Sequence, residues 1–374
     1  MSKVIISTIG TSLLTQQINR ANSDENSWYG KLRDTANLSS ENTPSDVLDI
    51  IHILKGRAKA KLEHGTTTQI RSASAELNGI YGLYHEKLEQ GQQDMHWLIA
   101  TDTAQGNETA AAVETFLLDK GLKAQVYTPK GLSTANTECF SNGVDDLLTQ
   151  LESMVQGYQQ VYFNLVGGFK SLQAYLNTIG MFYADEIIYI FEGAGSEVIK
   201  IPQLPIKIDD SAIAPYVTQF ALMAAGAEIQ RSELMGIQEA LIFTVDDEAT
   251  LSNWGKLIWN QVKERFLSSE LLTFSHLEYQ PSFVRDYEST RDRGDRVKLQ
   301  ETLAKASSLL IKHRGNTAAL KGDGGIQLET YKNTNIDHFR VTLSLRVSCR
   351  CVGNKMSLRY YGTHDHVERS EGVR

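Results

Sequence analysis

The sequence predicts an α/β protein: a doubly wound parallel sheet over residues 1–210, a helical connector over 211–270, and a small α+β domain over 271–374. Three observations predict it. Short apolar runs alternate with helical patterns in the first part, as the strands and crossover helices of a parallel sheet do. The β signal then weakens from Ile208 to about Ser269. Beyond that, two apolar runs flank the turn dipeptide Gly353-Asn354, which marks a hairpin. At 374 residues the chain also has the length of two domains.

The elements follow in order. Val4 to Ile9 is a β-rich run ending at Gly10-Thr11-Ser12. A polar stretch, Asn19 to Asp46, leads to a helix from Ser45 to about Lys55, with Gly56 as its stop signal. A helix over Ser72 to Glu89 precedes the strand Trp97 to Ala100, which ends at Thr101-Asp102-Thr103. Then come a helix Asn107–Leu118, a strand Ala124–Tyr127, a helix Gly143–Met154 and a strand Val161–Leu165. Gly167-Gly168 opens a helix over Lys170 to Tyr183, followed by the strand Glu186 to Phe191. In the connector, Trp254, Ile258 and Val262 repeat at spacing four, one helical face. The last domain reads as a strand (Leu272 to Tyr279), helices over Pro281 to His313, and strands Phe339–Arg350 and Met356–Tyr361.

Composition narrows the class. No apolar run approaches a membrane span, and the first residues read as a strand rather than a leader, so a cytoplasmic protein is expected. The three cysteines, Cys139, Cys349 and Cys351, make no disulfide framework. Cys349 and Cys351 share a strand face without a second pair to complete a zinc site, so no metal is expected. Charge is uneven: Leu271 to Arg374 holds 17 Lys and Arg against 12 Asp and Glu, the rest 20 against 33. A basic end on an acidic body suits a polyanion partner, and a solvated basic surface suits the same numbers.

Ligands of open parallel sheets bind beyond the carboxyl ends of the strands. Three strand ends here carry small hydrogen-bonding residues: Gly10, Thr11 and Ser12; Thr101, Asp102 and Thr103; and Gly167, Gly168, Phe169 and Lys170. Glycines admit close approach, helix N-termini attract anions, and Lys170 adds a positive charge that suits a bound anion. No GxGxxG or GxxxxGK[ST] motif is present, which argues against an ordinary dinucleotide or ATP site. The run Phe163 to Lys170, continuing through Tyr183-Ala184-Asp185-Glu186 to Tyr189-Ile190-Phe191-Glu192-Gly193, resembles a CARF domain. So do Ile9 to Ser12, Thr101 to Thr103 with Gly106, and Ile201 to Ile206. The resemblance spans about the first 210 residues. It implies a Rossmann-like fold, a homodimer, and a cyclic oligoadenylate, most simply the tetra-adenylate, across the two-fold axis as allosteric ligand, with no other cofactor. Some such domains slowly cleave their ligand, and Thr11, Ser12 and Lys170 would position that reaction.

The densest chemistry lies near the end. Alternation over Phe339 to Arg350 puts Arg340, Thr342, Ser344, Arg346, Ser348 and Arg350 on one face and Val341, Leu343, Leu345, Val347 and Cys349 on the other. Arg359 and Tyr361 share a face of the next strand, and a His364-Asp365-His366 turn follows. Metal-independent RNA cleavage needs a base for the 2′-hydroxyl, cations for the phosphorane and an acid for the leaving oxygen. Arginines with His364 and His366 supply those groups, and Tyr360 or Tyr361 would stack on a base. Phe274-Ser275, Phe283 to Glu288, Val297 to Lys312, His338 to Val341, Leu345 to Val347 and Tyr361 to Asp365 resemble the RelE toxin superfamily. That resemblance spans roughly Leu271 to Arg374 and implies an mRNA interferase, with Arg346 on phosphate and His364 in the catalytic position. RelE itself relies on Lys, Arg and Tyr rather than His, so the base is open. The short tail beyond Arg369 leaves little room for a C-terminal helix.

The joined expectation is a type III CRISPR effector in which cyclic oligoadenylate switches on cleavage of mRNA, ribosome-bound by analogy with the toxins. The competing readings are a ligand-controlled transcriptional regulator and a stand-alone ring nuclease. A regulator would need a recognition helix, whereas the positive charge here lies on expected strands.

Overall fold

Val4, Ile5 and Ile6 are fully buried, as a central parallel strand covered on both faces requires. The computed structural model describes residues 2–190, 197–323 and 326–373, in two compact units, Met1–Ile206 and Lys207–Arg374. Phe191-Glu192-Gly193 lie outside the described residues.

The strands of the first unit are β1 (Lys3–Thr8), β2 (Met95–Ile99), β3 (Lys123–Tyr127), β4 (Gln160–Asn164), β5 (Glu186–Ile190) and β6 (Val198–Pro202). They form one sheet in the order β3-β2-β1-β4-β5-β6, parallel except for antiparallel β6. The helices are α1 (Ser12–Thr15), α2 (Trp28–Asp34), α3 (Ser45–His64), α4 (Thr67–Ala73), α5 (Ala75–Leu83), α6 (Ala104–Asp119), α7 (Thr137–Val155) and α8 (Lys170–Tyr183). Leu77, Ile80, Val113 and Phe116 of α5 and α6 cluster with Ile5 and Tyr162 on one sheet face. On the other face α8 packs closely, since a Cβ at Gly180 would lie 2.9 Å from Ile187 and 3.1 Å from Phe163. Gly56 does not end α3. The helix runs about two and a half turns further, to His64, because Ala58 and Leu62 continue its buried stripe while Gly56 sits exposed. The expected helix over Ser72–Glu89 is broken at Ser74, whose hydroxyl accepts the Leu77 N–H and starts α5 afresh.

The second unit begins with α9 (Val217–Ala224), β7 (Ile229–Gln230), β8 (Ile242–Val245), β9 (Glu248–Leu251) and α10 (Asn253–Leu267). The segment expected as helical thus carries a small antiparallel sheet, ordered β7-β9-β8. Its helix α10 buries Leu257, Trp259, Val262 and Leu267, while Trp254 and Ile258 stay half-buried. Next come β10 (Leu277–Tyr279), α11 (Pro281–Ser289), α12 (Arg293–Lys312), α13 (Leu320–Asp323), β11 (Glu329–Thr330), β12 (Asp337–Arg340), β13 (Leu345–Val352), β14 (Lys355–Thr363) and α14 (His364–Glu371). The five strands order as β10-β14-β13-β12-β11. Phe220, Trp259, Phe283, Leu303, Phe339, Val347 and Tyr361 belong to one continuous core, so residues on both sides of position 270 share it.

Three departures from the expected strands shape this sheet. Phe339–Arg350 is not one strand, because the Thr342 hydroxyl accepts the N–H groups of Ser344 and Leu345 and folds 341–344 into a turn. Leu343, expected on the apolar face, is 89% exposed at its tip. A β-bulge leaves Arg359 without an opposite number, since Ser348 pairs with Tyr360 and Cys349 with Leu358. Finally, His364-Asp365-His366 is no turn and the tail does hold a helix. Thr363 caps α14 by accepting the His366 N–H, and Gly372 closes it at φ 66°. Among the described residues no helix is long and apolar enough to cross a membrane.

Candidate functional site

In the first unit the chain steps from β1 outward to β2 and β3 and then returns to β4 on the other side, so the strand order reverses between β1 and β4. Gly10, Thr11 and Ser12 follow β1, and Gly167, Gly168, Phe169 and Lys170 follow β4, so these two groups flank the reversal. They touch closely: Thr8 Oγ1 donates to the Gly167 carbonyl, and a Cβ at Gly10 would lie 2.8 Å from Gly168 N. Phe169 is the N-cap of α8 and gives it no side-chain cap, leaving the first N–H groups of that helix without one. Lys170 is exposed at its first position, and Thr11 caps nothing with its hydroxyl.

Beneath these loops lies a residue that sequence reasoning missed. Glu76, fully buried on α5, accepts the Gly10 N–H at 2.6 Å and the Ser74 hydroxyl at 2.7 Å, with Ser12 Oγ at 3.5 Å. A side chain at Gly167 would collide with its Oε1, so glycine there is a packing requirement. Asn164 ties the same segment down, donating to Ser7 Oγ at 3.1 Å and to the Glu76 carbonyl at 3.0 Å. Nothing in the helical pattern around Glu76 distinguishes it, because its partners lie 66 residues upstream at Gly10 and 88 downstream at Asn164.

Thr101, Asp102 and Thr103 serve local structure. Thr103 caps α6 by accepting the Gly106 N–H at 3.1 Å and meets the Thr101 hydroxyl at 3.0 Å, both threonines being buried. The Asp102 carboxylate accepts the Gly131 N–H at 3.0 Å.

In the second unit one sheet face gathers several of the expected residues. Arg340 pairs directly with Arg346 across β12 and β13, and His338 pairs with Ser348. Opposite residues share a face, so His338, Arg340, Arg346 and, further along β13, Arg350 lie together. Tyr360 joins them opposite Ser348. The helix α14 covers part of this face, for Ser348 Oγ donates to Glu371 at 2.6 Å. His364 Nε2 lies 3.1 Å from Glu368 Oε1 on the same helix.

Arg359 and Tyr361 do not share a face. The bulge turns Tyr361 into the core, 3% exposed, with its phenol pushed up by burial. Arg359 forms a double ion pair with Glu371, Nε–Oε1 2.8 Å and Nη2–Oε2 3.0 Å, and that carboxylate is 1% exposed. Hydrogen bonding to Glu371 holds the guanidinium charged, so Arg359 anchors α14.

His366 lies across β14, where a Cβ at Gly362 would come within 2.8 Å of its ring. Its Nε2 is 3.3 Å from Asp286 Oδ1, while Asp286 Oδ2 accepts the Tyr361 N–H at 2.9 Å.

Two neighbours of the arginines were absent from the expected site. His338 stacks on Tyr331, ring centroids 4.1 Å apart and 10° from parallel. Its Nδ1 is 3.1 Å from the Glu329 carbonyl. Burial lowers its proton affinity, and Arg346 and His364 depress it further against the opposing pull of Glu329. Burial pushes the Tyr331 phenol up to about 12, with Glu368 adding to it. The alternation of His338 with Arg340 is a signal the sequence carries; Tyr331 has none. His364, Asp365 and Glu368 each bring one ligand atom within 4.8 Å of the others, a grouping with the dimensions of a divalent-cation site. Cys349 is buried and Cys351 half-buried on the core side, hydrogen-bonded to each other.

Residues 71–204 match the model of a family described as CRISPR-associated protein (Cas_APE2256). The matched span contains Glu76, Thr101 to Thr103 and Gly167 to Lys170, and it lies within the first unit.

Proposed function

We propose that the chain is a cyclic-oligoadenylate-activated, metal-independent endoribonuclease of type III CRISPR defence. The observation that carries the reading is the joint facing of Arg340, Arg346 and His338 on one sheet surface, with His364 at the adjoining helix start. The two guanidinium groups stabilise a pentacoordinate phosphate, the imidazoles move protons, and Tyr360 offers a stacking surface. The similarity of residues 71–204 to a CRISPR-associated family supports the defence context.

In this reading the first unit is a CARF-type sensor. Its loops at Gly10 to Ser12 and Gly167 to Lys170 meet the phosphates of a ring, and a homodimer presents two such sets to a two-fold-symmetric ligand. The exposed Lys170 and the uncapped start of α8 support anion binding. The ligand activates by binding the active arrangement more tightly than the resting one. The second unit is a RelE-type interferase that cuts ribosome-associated mRNA. Thr11 and Lys170 beside the bound phosphates also favour slow ring cleavage as a second activity.

The test is RNA cleavage with and without cyclic tetra-adenylate, in EDTA, on naked and translated RNA. Ligand-dependent cuts that persist in EDTA and are lost in Arg346→Ala, with ligand binding intact, are expected. Unchanged cleavage on adding ligand, or DNA binding without any RNA cut, overturns the reading.

A further inference from the structure

We infer that His338 is the general base that takes the 2′-hydroxyl proton. This rests on the proposed RNA cleavage and names a group within the same site. The geometry assigns the tautomer. A carbonyl oxygen only accepts, so the 3.1 Å contact with the Glu329 carbonyl requires the proton on Nδ1 and leaves the lone pair of the neutral ring on Nε2. Stacking against Tyr331 fixes the ring plane, and the side chain is 13% exposed, so the ring is held in place. A base needs such pre-orientation before substrate arrives.

The charged and titratable groups facing His338 fit the role. Arg346, next but one to its strand partner Ser348, is a cation for the phosphate whose 2′-oxygen neighbour loses the proton. Glu329 on β11 has a carboxylate oxygen 3.9 Å from Nε2, where it stabilises the imidazolium formed by proton uptake. His364 on α14 and Arg346 oppose that charge, and burial opposes it most, so the resting imidazole is neutral and ready to accept. Neither His364 nor His366 has a comparable arrangement. Each has its Nε2 against a carboxylate, 3.1 Å from Glu368 and 3.3 Å from Asp286, closer than the 3.9 Å between His338 Nε2 and Glu329.

The proton of the 2′-hydroxyl passes to His338 Nε2 while the 2′-oxygen forms a bond to phosphorus. The P–O5′ bond breaks, giving a 2′,3′-cyclic phosphate, and the departing 5′-oxygen takes a proton from solvent. Water later returns His338 to its neutral form.

The experiment compares wild type and His338→Asn, at saturating cyclic tetra-adenylate, on an RNA and on the same RNA with a 5′-bridging sulfur, whose leaving group needs no acid. Asparagine at 338 keeps a donor to the Glu329 carbonyl and removes the base. His338→Asn should lose roughly 10²–10⁴-fold in cleavage on both substrates and lose the acidic limb of the pH profile. Affinity for a 2′-deoxy-substituted RNA, measured in parallel, should be unchanged in His338→Asn, which separates a lost base from a lost fold. Wild-type rates or an unaltered pH profile in His338→Asn overturn the assignment while leaving the ribonuclease reading in place. Selective rescue of His338→Asn by sulfur makes His338 the acid and overturns it equally. Wild type that cuts neither substrate sinks the ribonuclease reading and this inference together.

Discussion

Arg359→Ala separates anchoring from phosphate binding at a residue whose sequence context suggests the latter. Glu371 is 1% exposed and accepts three hydrogen bonds from two nitrogens of Arg359 and one from Ser348. Removing one partner of a buried ion pair costs roughly 3–5 kcal/mol, because the other charge is stranded. Arg359 is itself 29% exposed and Ser348 stays bonded, so water reaches the vacated space and the cost falls to about 2 kcal/mol. That energy opens α14 rather than the whole unit, since Glu371 is the last residue of this eight-residue helix. Amide hydrogen exchange over residues 364–371 should therefore quicken about 30-fold, tenfold for each 1.4 kcal/mol. Arg359→Ala/Glu371→Ala should return most of the protection by removing the stranded carboxylate. If exchange there stays within twofold of wild type while RNA cleavage is lost, Arg359 acts on substrate and the anchoring argument is wrong.

Gly167→Ala drives a methyl group into Glu76, and it should lower thermal stability by roughly 1–3 kcal/mol and weaken cyclic tetra-adenylate binding together; calorimetry and a binding titration measure both, and intact binding would remove this loop from the ligand site. Lys170→Ala should cost about tenfold in ligand affinity, as loss of one charge-assisted contact does, with RNA cleavage at saturating ligand unchanged; equal affinity at low salt refutes it. His96 is fully buried and burial pulls its pKa down to about 3, against about 6.5 in the unfolded chain. Below pH 6.5 the unfolded chain takes a proton the folded one refuses, so stability falls as pH drops towards 3, by about 1.4 kcal/mol per unit at the steepest. Urea midpoints at pH 7 and 5 should diverge in wild type and much less in His96→Gln, and equal divergence would refute the account.

The parallel sheet is legible because its strands are short, β-rich and buried on both faces, so each apolar run has one reading. The helix Lys170–Tyr183 coincides with its expected span, since Gly167-Gly168 and Ala184-Asp185 bound it. The last sheet is less legible. Thr342 makes a turn without Gly or Pro, and its neighbours Val341 to Leu345 alternate as a strand would. The cap Thr363 and the stop Gly372 were available signals for α14, outweighed by the reading of two histidines as a turn. Arg340, Arg346 and Arg350 keep their common face because the strand break preserves the pairing of Arg340 with Arg346. Glu76 and Asp286 were not legible at all, since each acts through partners far away in sequence.

The extra residue at Arg359 has a consequence for comparing this chain with others. Odd and even positions exchange meaning there: Met356 and Leu358 point inward before it, Tyr361 after it. An alignment that places the gap after Tyr361 would equate that core phenol with a surface residue, and so mistake Tyr360 for Tyr361. Deleting Arg359 would, by the same parity, leave Met356, Leu358 and Tyr361 all facing inward in regular alternation, whereas deleting Ser357 would turn Met356 to water or bury the wrong neighbour.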